Sequence, residues 1–195
     1  MRLQTPGRAN TLNALAAAAL AAHNGVPAAE IVSGLESFRG LRRRMEEVGT
    51  FGGVTVLDDY AHHPTQIAAG LATARQMHPG RRLWCVFQPH QVSRTEQLLD
   101  ELAQSLQNAE MVVVAEIFRA REPHPRAGEV TAADLARQTR AGGVEVAEVH
   151  QAGSIVRLLE SRLRPGDVLV TMGAGDVRKI CDAIICRFRE DRAAG

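Results

Sequence analysis

The sequence predicts an α/β fold, a mostly parallel sheet with helices on both faces that is preceded by a short helical segment. Short apolar, β-branched runs alternate with helical patterns from residue 54 onward. Polar clusters follow four of these runs, which is typical of the carboxyl ends of parallel strands. The 195 residues, 45% of them hydrophobic, are enough for one good core.

Two helices are predicted first, over residues 11–24 and 27–35, with Gly25 between them. A short basic connector, residues 38–44, then changes the character of the chain. We place a domain boundary there, between residues 1–37 and residues 38–195. The three arginines at 42–44 are either a solvated linker or an anion-binding group, and the sequence leaves both open.

From residue 45 onward, strands and helices alternate. Residues 45–50 and 54–58 are predicted to be strands joined around Gly52 and Gly53. A helix over 66–77 follows. Further strands are expected at 82–87, 111–116, 145–148 and 167–172, and further helices at 94–106, 132–140, 155–162 and 176–189. Helices of this length between strands favour a parallel sheet covered on both faces.

Composition excludes several classes of function. The net charge of +1 gives no broad field for nucleic acid or a membrane surface, so neither is expected as a partner. Lys179 is the only lysine, and no phosphate-binding P-loop is present. The cysteines, residues 85, 181 and 186, lack zinc or redox spacing, which fits a reducing cytoplasm. The longest apolar run, residues 14–22, is too short to span a bilayer.

The first polar cluster follows the strand at 54–58 and leads into a helix. It contains Asp58, Asp59, Tyr60, His62 and His63. The acids alone would be explained equally well as caps of the following turn. A tyrosine and two histidines within the same six positions favour a binding site at the end of the strand.

The second cluster, residues 88–96, follows the next strand. It ends in Ser-x-x-Glu, which predicts that Ser93 is the N-cap of a helix. Arg94 then lies in the first helical turn, where free N–H groups favour an anionic ligand such as phosphate or carboxylate. His62, His63 and His90 lack metal-ligand spacing, so we expect hydrogen bonding or proton transfer from them and no dedicated metal site.

Two further clusters are less specific. Gly173 and Gly175 match two of the three glycines of a dinucleotide fingerprint, but Arg178 stands where the third belongs. We interpret this segment as a tight turn with Asp176 capping the last helix. The segment 116–122 is either a substrate-facing loop or an ordinary charged connection.

The residues 58–65 (Asp-Asp-Tyr-Ala-His-His-Pro-Thr), together with Phe-Gln-Pro-His at 87–90 and Ser-Arg-Thr at 93–95, resemble the Mur ligases. Supporting matches lie at 7–17, 38–44, 116–122 and 173–175, so the resemblance covers essentially the whole chain. It implies that residues 1–37 are the last helices of a central ATPase domain. Residues 38–195 would then be the C-terminal, Rossmann-like domain of a three-domain enzyme.

The resemblance implies an ATP-dependent ligase that joins L-alanine to UDP-N-acetylmuramate through an acyl phosphate in peptidoglycan precursor synthesis. ATP and Mg²⁺ would be bound largely by the central domain, and the remaining Mur ligase domains would be partners. By the same resemblance, the catalytic residues are His62, Arg94 and His90. The cofactor-binding residues are Asp59, Tyr60 and Asn10, and the substrate-binding residues are His63, Gln91, Ser93 and Glu122.

Three departures from the family pattern bear on these roles. Gln91 stands where the family usually has a second arginine, Val92 where it has an aromatic residue, and Ala9 where it often has histidine. Two alternatives therefore stay open, a muropeptide-recycling ligase and a truncated, non-catalytic module that binds a nucleotide or a partner. In each case we expect the isolated chain to be inactive as a ligase.

Overall fold

The computed structural model describes residues 1–122, 126–148 and 152–194. Within them one sheet contains the strands β1 (Glu46–Phe51), β2 (Val54–Asp59), β3 (Leu83–Phe87), β4 (Met111–Val114), β5 (Glu145–Glu148) and β6 (Val168–Met172). Their spatial order is β1-β2-β6-β3-β4-β5. The β1–β2 pair is antiparallel, and every other neighbouring pair is parallel. The predicted α/β class and mostly parallel sheet are confirmed.

The helices are α1 (Arg8–His23), α2 (Ala28–Ser37), α3 (Pro64–Met77), α4 (Val92–Gln97), α5 (Leu99–Ser105), α6 (Ala132–Ala141), α7 (Ala152–Arg162) and α8 (Arg178–Ala194). A single 3₁₀ turn, Leu106–Asn108, extends α5. The helices α3, α5 and α6 cover one face of the sheet, and α7 and α8 cover the other.

Alternation along the strands explains why both faces are covered. In β3, Cys85 and Phe87 pack among the side chains of α3, α5 and α6, whereas Trp84 and Val86 pack among those of α7 and α8. All four side chains are fully buried. Because successive side chains of a strand point to opposite faces, a strand buried on both sides reads as a continuous apolar run.

The first two helices contribute little to this core. Neither α1 nor α2 contains a buried residue, and α1 leaves Leu12, Leu15 and Leu20 more than half exposed. They pack on each other, and α1 also touches α3. No helix in the described part of the chain is long and apolar enough to cross a membrane.

The single helix predicted over 94–106 is wrong in one respect. It is divided into α4 and α5 at Leu98, whose backbone (φ −118°, ψ 24°) leaves the helical region. The break lets both Leu98 and Leu99 pack against the same buried cluster. Tertiary packing therefore outweighs the local preference for one continuous helix.

Candidate active site

The carboxyl ends of β2, β3, β4 and β6 lie at one edge of the sheet because these strands are parallel. The polar clusters that follow them therefore meet there, as the sequence predicts. Four rings form a row along this edge: Tyr60, His62, His90 and Phe118. Successive ring centroids are 5.5, 6.0 and 5.6 Å apart.

Backbone hydrogen bonds join the loop after β3, which carries His90, to the loop after β4, which carries Phe118. The N–H of Gln91 donates to the carbonyl of Phe118 over 2.8 Å, and the N–H of Phe118 donates to the carbonyl of Pro89, also over 2.8 Å. Residues 90 and 118 thus form an isolated parallel bridge. The stacked rings of His90 and Phe118 are fixed by this bridge and not by side-chain packing alone.

The two adjacent histidines are held in different tautomers. Nδ1 of His62 lies 3.0 Å from the carbonyl of Tyr60, which only accepts, so this nitrogen carries the hydrogen and leaves Nε2 as an acceptor. Nδ1 of His63 accepts from the N–H of Thr65 over 3.4 Å. His63 therefore caps α3, and its ring is exposed. His62 thus belongs to the ring row, whereas His63 belongs to the start of α3.

His90 is held neutral at physiological pH. Burial lowers the pKa of His90, and the positive charge of Arg94 lowers it further. Nδ1 of His90 is buried without a hydrogen-bond partner in the described part of the chain. Arg94 is half-buried close to this ring, and it forms no ion pair with any residue that the structure describes. Among the residues that the structure describes, the arginine is thus a cation at the site without a carboxylate partner.

Ser93 is not a helix N-cap. The N-cap of α4 is Gln91, whose side chain makes no capping hydrogen bond. Instead, Glu122 accepts from the N–H of Val92 over 2.6 Å and from the N–H and hydroxyl of Ser93. The Ser93 hydroxyl in particular lowers the pKa of Glu122. A carboxylate of the chain itself therefore occupies the helix start where the sequence predicts a free anion site.

Asp59 is tied to the backbone on both sides. One oxygen accepts from the N–H of Ala61 over 2.7 Å, and the other accepts from the N–H of Met45 over 2.9 Å. Burial raises the pKa of Asp59, and these two hydrogen bonds oppose the rise. Asp59 thus caps the turn that follows β2, which is one of the two interpretations of the acidic pair. It also lines the neighbouring cleft.

That cleft has a volume of about 740 Å³ and lies between the first two helices and α3. It brings together Asn10 of α1, Arg44 of the connector and Asp59 of β2. The side-chain amide of Asn10 donates to the carbonyl of Pro6 over 2.7 Å, which orients its oxygen. The predicted cofactor-binding residues Asn10 and Asp59 therefore share one cavity, although they lie in different segments of the chain.

The basic connector contributes to the site more than the sequence reveals. The guanidinium carbons of Arg43 and Arg44 lie 4.9 and 5.7 Å from the centroid of the Tyr60 ring. Arg42 is exposed. Three consecutive arginines give no local signal that distinguishes these positions.

Asp176, expected to cap α8, instead accepts from the side chains of Gln88 and Lys179.

No group of three or more His, Cys, Asp or Glu residues that would hold a metal ion occurs within residues 1–122, 126–148 and 152–194. The donors at the site are guanidinium, imidazole and amide groups. This set suits an anionic substrate better than a bare cation.

Comparison with known proteins identifies the family to which this chain is similar. A family model described as "Mur ligase, glutamate ligase domain" matches residues 43–175. The UDP-N-acetylmuramate–L-alanine ligase of Desulfitobacterium hafniense is 43% identical over 94% of this chain and 41% of its own length. That of Clostridium novyi is 43% identical over 92% of this chain and 39% of its own.

Two solved structures share this architecture. The UDP-N-acetylmuramate-alanine ligase of Thermotoga maritima matches with a TM-score of 0.81 at 27% identity, over 97% of this chain and 40% of its own. A murein peptide ligase of Psychrobacter arcticus matches with a TM-score of 0.72 at 26% identity, over 96% and 38%. The chain thus spans about two fifths of the length of these relatives.

Proposed function

The chain belongs to the Mur ligase family, and from this premise we propose that it supplies the C-terminal part of a ligase that joins L-alanine to UDP-N-acetylmuramate. The curated relatives that carry this name are 41–43% identical to the chain. We assign this chain to peptidoglycan precursor synthesis, and we propose that it acts in the cytoplasm. Residues 1–37 would form the last helices of the central ATPase domain, and residues 38–195 would form the C-terminal domain.

The observation that carries the proposal is the ring row beside the cleft. Tyr60, His62 and His90 lie next to one another, with Arg94 close to His90 and Asp59 in the adjoining cavity. The site therefore offers a cation, an imidazole that can accept a proton and an adjoining cavity of about 740 Å³. An acyl-phosphate reaction with an amine nucleophile needs these groups, since it depends on positioning and charge neutralisation.

In the proposed reaction, ATP phosphorylates the carboxylate of UDP-N-acetylmuramate and becomes ADP. The amine of L-alanine then attacks the acyl phosphate, so that the C–N bond forms and inorganic phosphate leaves. The amine must first lose a proton. His62 is suited to accept it, because Nδ1 is held by the Tyr60 carbonyl and Nε2 is left with a lone pair. Arg94 would bind the carboxylate or the phosphate, and neutral His90 would donate or accept a hydrogen bond beside it.

For the nucleotide, we assign Asp59, Tyr60 and Asn10 to the cleft side of the site. ATP and Mg²⁺ would be held largely by the central domain of the complete ligase. Mg²⁺ would supply charge neutralisation on the phosphates, and Asp59 would contribute to the nucleotide side of the cavity that it lines. Arg44 lines the same cavity without an acidic partner in the described ranges, so it suits a phosphate group.

The remaining assignments concern the amino-acid side. His63, Gln91, Ser93 and Glu122 are proposed to bind substrate. Glu122 and Ser93 would act as a pair, because the carboxylate accepts from the serine hydroxyl and fixes the start of α4. The muropeptide-recycling ligase is the second candidate, supported by the fold of the Psychrobacter arcticus enzyme at a TM-score of 0.72. The higher TM-score of the alanine ligase favours the first.

The proposal is tested by mixing this chain with a separately produced pair of the missing domains. ADP formation is followed with UDP-N-acetylmuramate, Mg²⁺ and L-alanine. We expect alanine-dependent turnover and a loss of roughly 100-fold in Arg94→Ala, the order found for a lost charge-stabilising donor. The matched control is Arg157→Ala, which removes an exposed arginine from α7.

Two results would contradict the proposal. Turnover that depends on a muropeptide and not on L-alanine would favour the recycling ligase. Equal turnover in Arg94→Ala and Arg157→Ala would show that Arg94 does not contribute to the reaction. The chain alone is expected to release no ADP in response to L-alanine.

A further inference from the structure

Asp58 is a buried carboxylate directly beneath the site. It is 0% exposed, and it accepts a hydrogen bond from the hydroxyl of Thr171 over 2.6 Å. Its second oxygen lies 3.3 Å from Nε of Arg43 and 3.3 Å from Nη1 of Arg178. A buried carboxylate is costly unless cations pair with it, so these two guanidiniums compensate its charge.

Arg43 connects Asp58 to the ligand side of the sheet. Its Nη2 donates to the carbonyl of Gly173 over 2.7 Å, and its guanidinium lies over the ring of Tyr60. Its own carbonyl accepts from the N–H of Tyr60 over 2.7 Å. The backbone of Arg43 is left-handed (φ 56°), a conformation that costs energy for any residue but glycine and persists only where contacts hold it.

The two arginines depend on Asp58 to different degrees. Arg178 also pairs with Asp182 at 2.8 Å and with Glu46 at 3.3 Å. For the guanidinium of Arg43, Asp58 is the sole carboxylate partner in the part of the chain that the structure describes. The Nε–H of Arg43 is not aligned for a hydrogen bond with it, so the contact is ionic. Loss of Asp58 would thus leave Arg178 paired and Arg43 unpaired.

We propose that Asp58 is a positioning residue that holds Arg43 over Tyr60 and thereby shapes the wall against which the ligand binds. The inference rests on the proposed function only for the identity of that ligand. Asp58 itself is shielded from the ligand by complete burial. Its effect passes through Arg43 to the Tyr60 ring and to the turn at Gly173.

The test uses the fact that Tyr60 is the only tyrosine of the chain. Protein grown with tyrosine that is ¹³C-labelled only at the ring Cε positions gives one ring signal in a carbon–proton NMR spectrum. In Asp58→Asn this signal is expected to move toward the position of free tyrosine. The matched control is Asp182→Asn, which makes the same chemical change at another partner of Arg178. It is expected to leave the Tyr60 signal in place.

A double variant separates positioning from general support. Arg43→Gln alone is expected to move the Tyr60 signal, and adding Asp58→Asn to it is expected to cause no further movement. A full additional movement in the double variant would overturn the proposal, because Asp58 would then act by another route. An unchanged signal in folded Asp58→Asn would overturn it as well.

Arg43→Gln also keeps the proposal testable if Asp58→Asn does not fold. A Tyr60 signal that stays in place in Arg43→Gln would show that Arg43 does not hold the ring, and the proposal would fail. None of these measurements requires ligase activity. A failed ligase assay and a failed positioning test are therefore distinguishable.

Discussion

Gly175 is the position where the smallest change should disturb the site most. Its backbone φ lies outside the left-handed region, so alanine is permitted there by conformation. A Cβ atom at this position, however, would lie 2.5 Å from Oε1 of Gln88 and 2.6 Å from Cγ of Phe118. Both distances are shorter than any normal contact, so both side chains, or the backbone of residue 175, must move.

Neither side chain moves without loss. Gln88 accepts from the N–H of Val177 over 3.1 Å and donates to Asp176 over 2.8 Å, which ties β3 to the start of α8. Phe118 is stacked on His90. Overpacking of this kind costs about 1–3 kcal/mol of folding free energy. In a chain of this length each kcal/mol corresponds to about 2–4 °C in Tm.

The assay is urea and thermal unfolding of Gly175→Ala, followed by circular dichroism, with Gly153→Ala as the matched control. Gly153 lies in α7, and a Cβ atom added there would meet no other atom within 4 Å. Alanine there should stabilise the protein by about 0.5–1 kcal/mol, because glycine is the poorer helix residue. Equal or higher stability of Gly175→Ala relative to the unaltered chain would refute the steric argument.

The remaining predictions concern thiols and acid. Burial raises the pKa of Cys181 to about 12 and raises that of Cys85 still further, whereas Cys186 is exposed. A thiol reagent at pH 8 should therefore modify one cysteine of the folded chain and all three of the unfolded chain. Burial alone would raise the pKa of Asp167, but the hydrogen bond from Arg82 and further donors lower it overall. A lowered pKa adds stability that is present above the unfolded value of about 3.9 and is lost as pH falls through the folded value. Urea midpoints measured from pH 7 to pH 3 should thus fall less steeply in Asp167→Asn than in the unaltered chain.

The strands β3 and β4 were predictable because both are buried on two faces and contain only apolar residues. The hairpin of β1 and β2 was equally visible, since Gly52 and Gly53 both have positive φ at the turn. The helix starting near residue 92 was not. A local Ser-x-x-Glu pattern indicated Ser93 as the cap, with Glu96 accepting from the N–H of Ser93. In the structure Glu122, 29 residues away, accepts from that N–H instead. Competition from a partner so distant in sequence is invisible to local rules.

The site shows the same limit. Residues that follow parallel strands were predicted to meet, and six of them lie at adjoining places: Asp59, Tyr60, His62, His90, Gln91 and Arg94. Asn10 of α1, which only the family resemblance indicated, lines the cleft with Asp59. Their roles stay predictions. The sequence did not reveal that Arg43 alone of the three consecutive arginines contacts Asp58, because this contact joins residues 15 positions apart that no local pattern pairs.

Gln91 replaces the arginine that the family resemblance leads us to expect, and the fold uses its backbone. Its φ of 69° is left-handed. In this conformation its N–H donates to the carbonyl of Phe118, and its carbonyl accepts from the N–H and hydroxyl of Thr95. These contacts hold a conformation that costs roughly 1–2 kcal/mol for a residue with a Cβ atom. An arginine would keep every one of them, because none involves the side chain. The glutamine therefore changes the charge beside His90 and not the backbone of the loop, and Arg94 remains as a cation close to that ring.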